Sequence, residues 1–387
     1  MRFPEFTEEW KKCKFGEIAT GFDYGMNAAA KPYDGQNKYI RITDIDETSS
    51  TYNNEDIVSP DGTLSENYMV NERDILLART GASTGKSYLY RKSDGKLYFA
   101  GFLIRANVAE HNPYFVFSQL HTHRYWRWVS IMSSRSGQPG INSQEYASFP
   151  IFTTTLIEEN KISTLLSLID ERIATQNKII EKLETLIKGI VDSIFTANKF
   201  PKVPFKEIYV RAGEGGTPAT SNPEYYDNGT IPFIKIDDLQ NKYIKTNKDC
   251  ITELGLQKSS AWIVPANSII YSNGATIGAI SINLFPVCTK QGILGVVPKA
   301  DINVEFLYYF MSSTAFTKAV ERIVTEGTMR TAYLKDINHI PCPVPCSVKQ
   351  DEIAKLLSTL SEKLENEVIF QMKLQKQKEF LLSQMFI

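Results

Sequence analysis

The chain repeats itself, and this repeat limits the folds that the sequence can adopt. Four short segments of the first half recur in the same order in the second half: 15–18 at 205–208, 39–45 at 233–239, 81–85 at 274–278, and 161–167 near 352–358. The offset stays between about 190 and 194 residues throughout. A preserved order at a nearly constant offset indicates an internal duplication. We therefore expect a globular part followed by a long helix, and then both again.

Two segments, 1–153 and 199–346, have the pattern of strands and turns. Short alternating apolar runs, separated by Gly, Pro, Asn and Asp, occur at 38–45, 74–78, 262–270 and 279–284. Each segment also has one helical stretch, near 113–131 and 304–325. We predict a mixed α/β fold with two strand-rich globular domains.

The segments 154–198 and 347–387 are predicted to be long spacer helices. From 155 to 197 the chain has no proline and one glycine, and apolar residues alternate in steps of four and three. This heptad spacing predicts a coiled coil, and about 40 residues give a helix of roughly 60 Å. The predicted seam consists of Ile162, Leu166, Ile169, Ile173, Ile180, Leu183, Ile187 and Ile190 in the first helix, and Ile353, Leu357, Leu360 and Leu364 in the second.

The simplest partner for each long helix is the other one. Each helix follows its own globular domain, so an antiparallel pair relates the two copies by an approximate two-fold axis. The alternative is a coiled coil that dimerises the protein. We favour the pairing within the chain because a matched partner is already present in it.

Composition limits the classes of protein to which the chain can belong. The net charge is −1, so any binding of DNA requires local patches of Lys and Arg. The five cysteines are scattered and there are four histidines, a pattern that predicts no metal site. No signal peptide or apolar run of roughly 20 residues is evident. We expect a cytoplasmic protein with reduced thiols and no membrane association.

These features together resemble a known family. The opening Arg2 to Phe6 followed by Trp10, the run Gly215 to Pro218 leading to 231–234, the glycine loop 274–278, and the helix start 161–170 are similar to the specificity subunit of type I restriction–modification systems. The resemblance covers essentially the whole chain. The second helix departs from the pattern, with Ser361 where the first helix has Asp170.

The resemblance implies a role and partners. Each domain would be a target-recognition domain for half of a bipartite, asymmetric DNA site. The helices would set the spacer and dock two methyltransferase subunits, and restriction and translocase subunits can join such complexes. The chain would be non-catalytic, because S-adenosylmethionine, ATP and magnesium belong to the partner subunits. The alternative is a coiled-coil protein–protein adaptor that does not bind DNA.

Two motifs suggest catalysis but are weak. The run Thr80 to Ser87 is similar to a phosphate-binding loop, yet it lacks the first glycine of that motif, and its repeat lacks Lys and Ser. The run Asn112 to Phe115 is similar to a methyltransferase motif without its second proline. An asparagine N-cap followed by Pro113 in the first helical position accounts for it.

The DNA contacts are predicted to come from polar loops that match between the domains. Arg, Lys, Asn, Gln, Asp, Ser and Thr carry the donors and acceptors that base edges and phosphates require. In the first domain the candidates are Lys31, Arg41, Thr43, Arg79, Ser83, Thr84, Lys86, Arg135, Gln138 and Asn142. In the second they are Lys235, Asp237, Ser272, Asn273, Thr276, Lys290, Gln291, Thr328 and Arg330.

Overall fold

The structure, a computed structural model, describes residues 2–134, 139–197, 200–274, 276–324 and 330–386. The chain forms two compact units, one of residues 1–177 with 369–387 and one of residues 178–368. Each unit therefore contains one globular part together with a portion of both long helices. Among the helices of the described residues, none is both long enough and apolar enough to cross a membrane.

The first unit is built on an antiparallel sheet in the order β2-β9-β6-β7. A parallel pair, β4 and β8, lies apart from this sheet, and β1 with β10 and β3 with β5 form antiparallel pairs. The strands are β1 (Lys11–Lys14), β2 (Thr20–Tyr24), β3 (Ala29–Pro32), β4 (Lys38–Ile40), β5 (Val58–Asp61), β6 (Asp74–Ala78), β7 (Ser87–Leu89), β8 (Leu97–Phe99), β9 (Leu103–Asn107) and β10 (Pro150–Thr153).

Side-chain caps start several helices of the first unit. The helices of this unit are α1 (Phe15–Ile18), α2 (Pro113–Gln119), α3 (His123–Ser133), α4 (Ser143–Ala147) and the start of α5 (Leu156–Thr196). Asn112 caps α2, with Pro113 in the first helical position, which confirms the prediction. The single helical stretch expected over 113–131 is two helices, because the Thr122 side chain accepts the Tyr125 N–H and starts a new helix.

The second unit repeats this order of strands. Its sheet runs β12-β19-β16-β17-β14, and β13 pairs in parallel with β18. Strand β13 also pairs with β15, and β11 pairs with β20. The strands are β11 (Lys202–Pro204), β12 (Tyr209–Glu214), β13 (Ile231–Ile234), β14 (Tyr243–Ile244), β15 (Asp249–Ile251), β16 (Ile269–Ser272), β17 (Ile280–Asn283), β18 (Cys288–Thr289), β19 (Ile293–Pro298) and β20 (Pro341–Pro343).

Side-chain caps also start several helices of the second unit. The helices of this unit are α6 (Glu253–Gln257), α7 (Val304–Met311), α8 (Thr314–Glu321), α9 (Leu334–Ile337) and α10 (Ser347–Met385), whose last part belongs to the first unit. Asn303 caps α7 and Ser313 caps α8, so the stretch expected over 304–325 is again two helices.

Two predicted strands are shorter than the apolar pattern suggested. The strand expected over 38–45 ends at Ile40, because the Asp44 carboxylate accepts the Arg41 N–H at 2.8 Å and closes a 3-10 turn. The strand expected over 262–270 begins only at Ile269. In both cases a polar turn interrupts an apolar run.

The long helices contribute to the core of each unit. In the first unit, Ile162 and Leu166 of α5 belong to the same buried cluster as Leu382 and Met385 of α10. In the second unit, the later part of α5 shares a cluster with the start of α10 through Val191, Phe195, Ile353 and Leu357. None of the twelve predicted seam residues is exposed.

Candidate nucleic-acid interface

Three loops of the first unit meet beyond the end of β6. The loop that follows β6 is joined to the turn between β8 and β9, where the Arg79 N–H donates to the Phe102 carbonyl at 3.0 Å. It is also joined to segment 139–142, where the Ile141 N–H donates to the Arg79 carbonyl at 2.9 Å. Sequence reasoning selected two of these loops, and the fold brings them together.

The second unit has an equivalent arrangement beyond β16. The Asn273 N–H donates to the Gly292 carbonyl at 3.0 Å, and the Ala332 N–H donates to the Asn273 carbonyl at 2.9 Å. The two loops are so close that a Cβ on Gly274 would lie 3.1 Å from the Cα of Gly292. The loops that meet in this place carry the predicted residues Ser272, Asn273, Thr276, Lys290, Gln291 and Arg330.

A cleft of about 640 Å³ opens beside the loops of the first unit. Three of the predicted DNA-binding residues, Arg41, Thr43 and Arg79, line it. Tyr24 and Phe102 also line this cleft, and sequence reasoning missed both. The signal that could have found Phe102 is an aromatic residue in a short Gly-containing turn between two strands.

The cations of the first unit differ in how they are paired. Arg41 lies 2.7 Å from Asp44 and 3.2 Å from Asp56, and the hydrogen bonds that its guanidinium donates to the Asp44 carboxylate raise its pKa. Lys86 lies 3.2 Å from Glu47. Arg79 instead lies 4.7 Å from the ring centre of Tyr24, and no carboxylate in the described part of the chain forms an ion pair with it. Arg79 is therefore the cation of this cleft that is available to a ligand.

The remaining candidates of the first unit have varied positions. Lys31 is exposed on β3, and Ser83 is half-buried in the turn that follows β6. Thr84 is buried and its hydroxyl donates to the Gly81 carbonyl at 2.8 Å, so this side chain fixes the turn. Asn142 is exposed but caps α4. Arg135 and Gln138 lie outside the described residues.

In the second unit, exposure separates contact candidates from residues that hold the loops. The exposed candidates are Asp237, Thr276, Lys290, Gln291 and Arg330. Lys235 is half-buried and lies 2.9 Å from Asp249. Ser272 and Asn273 are buried, and the Asn273 amide donates to the Ala332 carbonyl at 3.1 Å. Thr328 lies outside the described residues.

The two motifs that suggested catalysis have structural roles. A phosphate-binding loop requires a helix after its Lys-Ser, but strand β7 begins at Ser87. The Asn112 amide is occupied on both sides: its oxygen accepts the N–H groups of Tyr114 and Phe115, and its nitrogen donates to Asn160 at 2.7 Å. Within the described ranges, no group of three or more His, Cys, Asp or Glu side chains could hold a metal ion.

Comparison with known proteins gives a consistent family. Residues 202–373 match the family described as type I restriction modification DNA specificity domain. The specificity subunit of type I restriction enzyme MjaIX from Methanocaldococcus jannaschii is 31% identical over 164 residues, which are 42% of this chain and 38% of that protein. The HindI specificity subunit from Haemophilus influenzae is 31% identical over 39% of this chain and 34% of that protein. These matches thus span little more than a third of each relative.

Solved structures share the fold over nearly the whole chain. The type I restriction–modification S subunit from M. genitalium has a TM-score of 0.60 at 16% identity, covering 98% of this chain and 96% of that one. A chain from a study of assembly and conformational transition of the type I R-M system has a TM-score of 0.60 at 14% identity, with 96% of both chains covered. Residues 202–373 are thus similar to the type I restriction modification DNA specificity domain family, and the chain has the same fold as the solved S subunit from M. genitalium.

Proposed function

We propose that the chain is the DNA specificity subunit of a type I restriction–modification complex, in which each globular domain reads one half of a bipartite DNA site. The observation that carries this proposal is the meeting of three loops beyond equivalent strands, β6 and β16, in the two units. Loops on a rigid sheet are suitable supports for side chains that read bases. The exposed side chains differ between the units, so the two half-sites differ and the full site is asymmetric.

A duplication of one ancestral unit supports the bipartite site. Asn112 and Asn303, 191 positions apart, cap α2 and α7 in the same way. The Asn112 N–H donates to Glu159 at 2.8 Å, and the Asn303 N–H donates to Gln350, again 191 positions on, at 2.9 Å. Domains related by a two-fold axis read half-sites in inverted orientation.

The long helices act as the spacer in this proposal. The clusters shared by the start of α5 with the end of α10, and by the end of α5 with the start of α10, support an antiparallel coiled coil. The length of such a pair sets the number of base pairs between the half-sites. Because the net charge is −1, we expect tight DNA binding only with partners that supply further phosphate contacts.

The chain contributes recognition, and its partners contribute catalysis. Two methyltransferase subunits dock on the helices, and such a complex can also take up restriction and translocase subunits. In the first unit α10 exposes apolar side chains that such a partner can cover, including Ile369, Phe370 and Met372. S-adenosylmethionine, ATP and magnesium bind to the partners.

The proposal is tested by mapping methylated bases genome-wide in the source cell and in a strain that lacks this chain. Loss of one bipartite, asymmetric methylated motif supports the proposal and identifies both half-sites. If the source cell methylates such a motif in both strains, another protein specifies it. If deletion of the chain leaves the methylated motifs unchanged and the chain captures a protein partner, the result favours the alternative, a coiled-coil protein–protein adaptor.

A further inference from the structure

The cleft of the first unit combines two exposed aromatic rings with Arg79, a cation that forms no ion pair within the described residues. We propose that Tyr24, Arg79 and Phe102 form a base-reading site, in which Arg79 binds the edge of a guanine and Phe102 contacts the methyl group of a neighbouring thymine. This inference rests on the proposed function, because it names the bases that one half of the site contains.

The geometry of Arg79 suits a guanine. The guanidinium lies 4.7 Å from the centre of the Tyr24 ring, a contact that holds it without using its N–H donors. The Tyr24 hydroxyl accepts the Ser143 N–H at 3.3 Å, so the ring is itself fixed. Within the described part of the chain, no side-chain N–H of Arg79 donates a hydrogen bond, and such a planar, positioned guanidinium matches the two acceptors that guanine presents in the major groove.

Arg79 also differs from its neighbour Arg41 in the same cleft. Two carboxylates, of Asp44 and Asp56, lie within 3.2 Å of the Arg41 guanidinium. Asp44 closes the 3-10 turn that follows β4, so Arg41 stabilises the wall of the cleft. The charge that remains for an external acceptor is therefore that of Arg79.

Phe102 lies directly beside Arg79, and its side chain is 59% exposed. The turn that carries it is fixed, because the Gly101 N–H donates to the Met26 carbonyl at 2.9 Å and the Leu103 N–H donates to the Ala100 carbonyl at 2.8 Å. Phe102 and Tyr24 thus place two exposed aromatic rings at one cleft, where they offer an apolar surface to a ligand. In the major groove the apolar feature that such a ring can contact is the thymine methyl group.

The second unit lacks this combination at the equivalent positions. Tyr24 of β2 pairs with Ile104 near the start of β9. Glu214 of β12 pairs in the same way with Leu294 near the start of β19, so Glu214 has the position of Tyr24 in the second unit. Arg79 directly follows β6, and the residue in this position of the second unit, directly after β16, is Asn273. Phe102 directly precedes β9, and the residue in this position of the second unit, directly before β19, is Gly292. The Glu214 carboxylate accepts the Gly292 N–H at 2.8 Å. The guanine–thymine preference is thus assigned to one half-site only.

The test uses Arg79→Lys, which keeps the charge but loses the planar pair of donors. In the source cell, we expect one position of one half-site to lose its requirement for a G·C pair, by roughly 5- to 150-fold, while the other half-site is unchanged. The matched control is Lys12→Gln, which removes an exposed cation outside the cleft.

A second measurement uses the complex purified from the source cell through a tag on this chain. Replacing the thymine beside that guanine by uracil removes only the methyl group, and we expect affinity to fall by about fourfold. The Phe102→Ala complex should bind the thymine duplex about as weakly as the unaltered complex binds the uracil duplex. Its affinity should not change further when thymine is replaced by uracil. The control Leu64→Ala, which truncates a side chain that is 40% exposed elsewhere in the unit, should respond as the unaltered chain does.

The inference is overturned if the unaltered chain specifies a bipartite motif and Arg79→Lys leaves every position of it intact, or if uracil binds as well as thymine. If Arg79→Lys abolishes methylation, the purified complex is tested on duplexes with single base-pair changes. An equal loss at every position indicates a contact with the backbone and also overturns it. Failure of the proposed function differs, since deletion of the chain would then leave all methylated motifs in place.

Discussion

The Lys378 ammonium of α10 lies 2.6 Å from the Asp170 carboxylate of α5, and this ion pair joins the end of one long helix to the beginning of the other within the first unit. The Tyr114 hydroxyl of α2 donates to the same carboxylate. Asp170 thus links both long helices to the globular part of the unit.

Replacing Asp170 should loosen this junction. Asp170→Ala removes the acceptor of the Tyr114 hydrogen bond and the ion-pair partner of Lys378 at a partly buried position, so we expect the free energy of unfolding to fall by about 1–3 kcal/mol. Urea unfolding measures the change. Lys376→Ala, on an exposed position of the same helix, should change stability by less than about 0.5 kcal/mol. Equal effects of the two substitutions would contradict a specific role for Asp170.

In the second unit, Lys242 has the corresponding linking position. Its ammonium donates to Tyr309 of α7 at 3.0 Å and to Ser358 of α10 at 2.9 Å, and it lies 3.3 Å from Glu305. Lys242→Ala leaves the partly buried Glu305 carboxylate without its cation and should cost about 2 kcal/mol. Lys245→Ala, which removes an exposed partner 4.0 Å from Glu365, is the control and should be nearly neutral in the same unfolding measurement.

Gly85 is required at its position by both backbone and space. Its φ is +94°, and a Cβ there would lie 2.7 Å from Val129 and 2.9 Å from Trp126. We expect Gly85→Ala to destabilise the first unit by about 2–4 kcal/mol, as measured by thermal unfolding. Gly35 has a φ of +87° with nothing within 4 Å of a Cβ, so Gly35→Ala should cost only about 1 kcal/mol. A smaller loss at Gly85 than at Gly35 would contradict the packing argument.

Stability should fall in mild acid because of His121. Its Nδ1 donates to the Phe117 carbonyl at 2.9 Å, so in the neutral ring Nε2 is left to accept the Ser50 hydroxyl at 2.9 Å. Burial, with Lys378 nearby, lowers the pKa of His121 from 6.5 to about 4, although Asp170 opposes this shift. The unfolded chain binds the proton first, so the stabilisation is complete above pH 6.5 and is lost as pH falls toward 4.

The measurement is the free energy of unfolding between pH 7 and pH 4 for His121→Gln and for the unaltered chain. The unaltered chain should lose about 1–3 kcal/mol more than the variant over this window. His123→Gln, which alters an exposed ring two residues away, should keep the full pH dependence. An identical slope in all three proteins would show that His121 does not titrate between the two states.

The periodic parts of the fold could be predicted from the sequence. The heptad spacing of 155–197 predicted a helix that the structure places at Leu156–Thr196, and the second long helix is Ser347–Met385. Asn112 before Pro113 predicted a helix start correctly, because capping depends on adjacent residues alone. The strand expected over 38–45 was wrong beyond Ile40, since the Arg41–Asp44 turn depends on side-chain geometry that periodicity does not contain.

The candidate site could be predicted only in part. Polar loops pointed to Arg79, Lys290 and Arg330, but exposure and pairing come from tertiary contacts. Thr84 belongs to the same loop as Arg79, yet it is buried and bonded to the backbone. Phe102 was missed because an apolar residue next to a strand is usually part of the core.

In the proposed function, each domain reads its own half of the DNA site. The most direct test is the methylated motif of the source cell after Lys290→Ala and Arg330→Ala are introduced together into the exposed loops of the second unit. We expect one half of the motif to relax or to be lost while the other half and the spacer length are retained. A motif that stays unchanged, or that changes equally in both halves, would show that the two domains do not read separate half-sites.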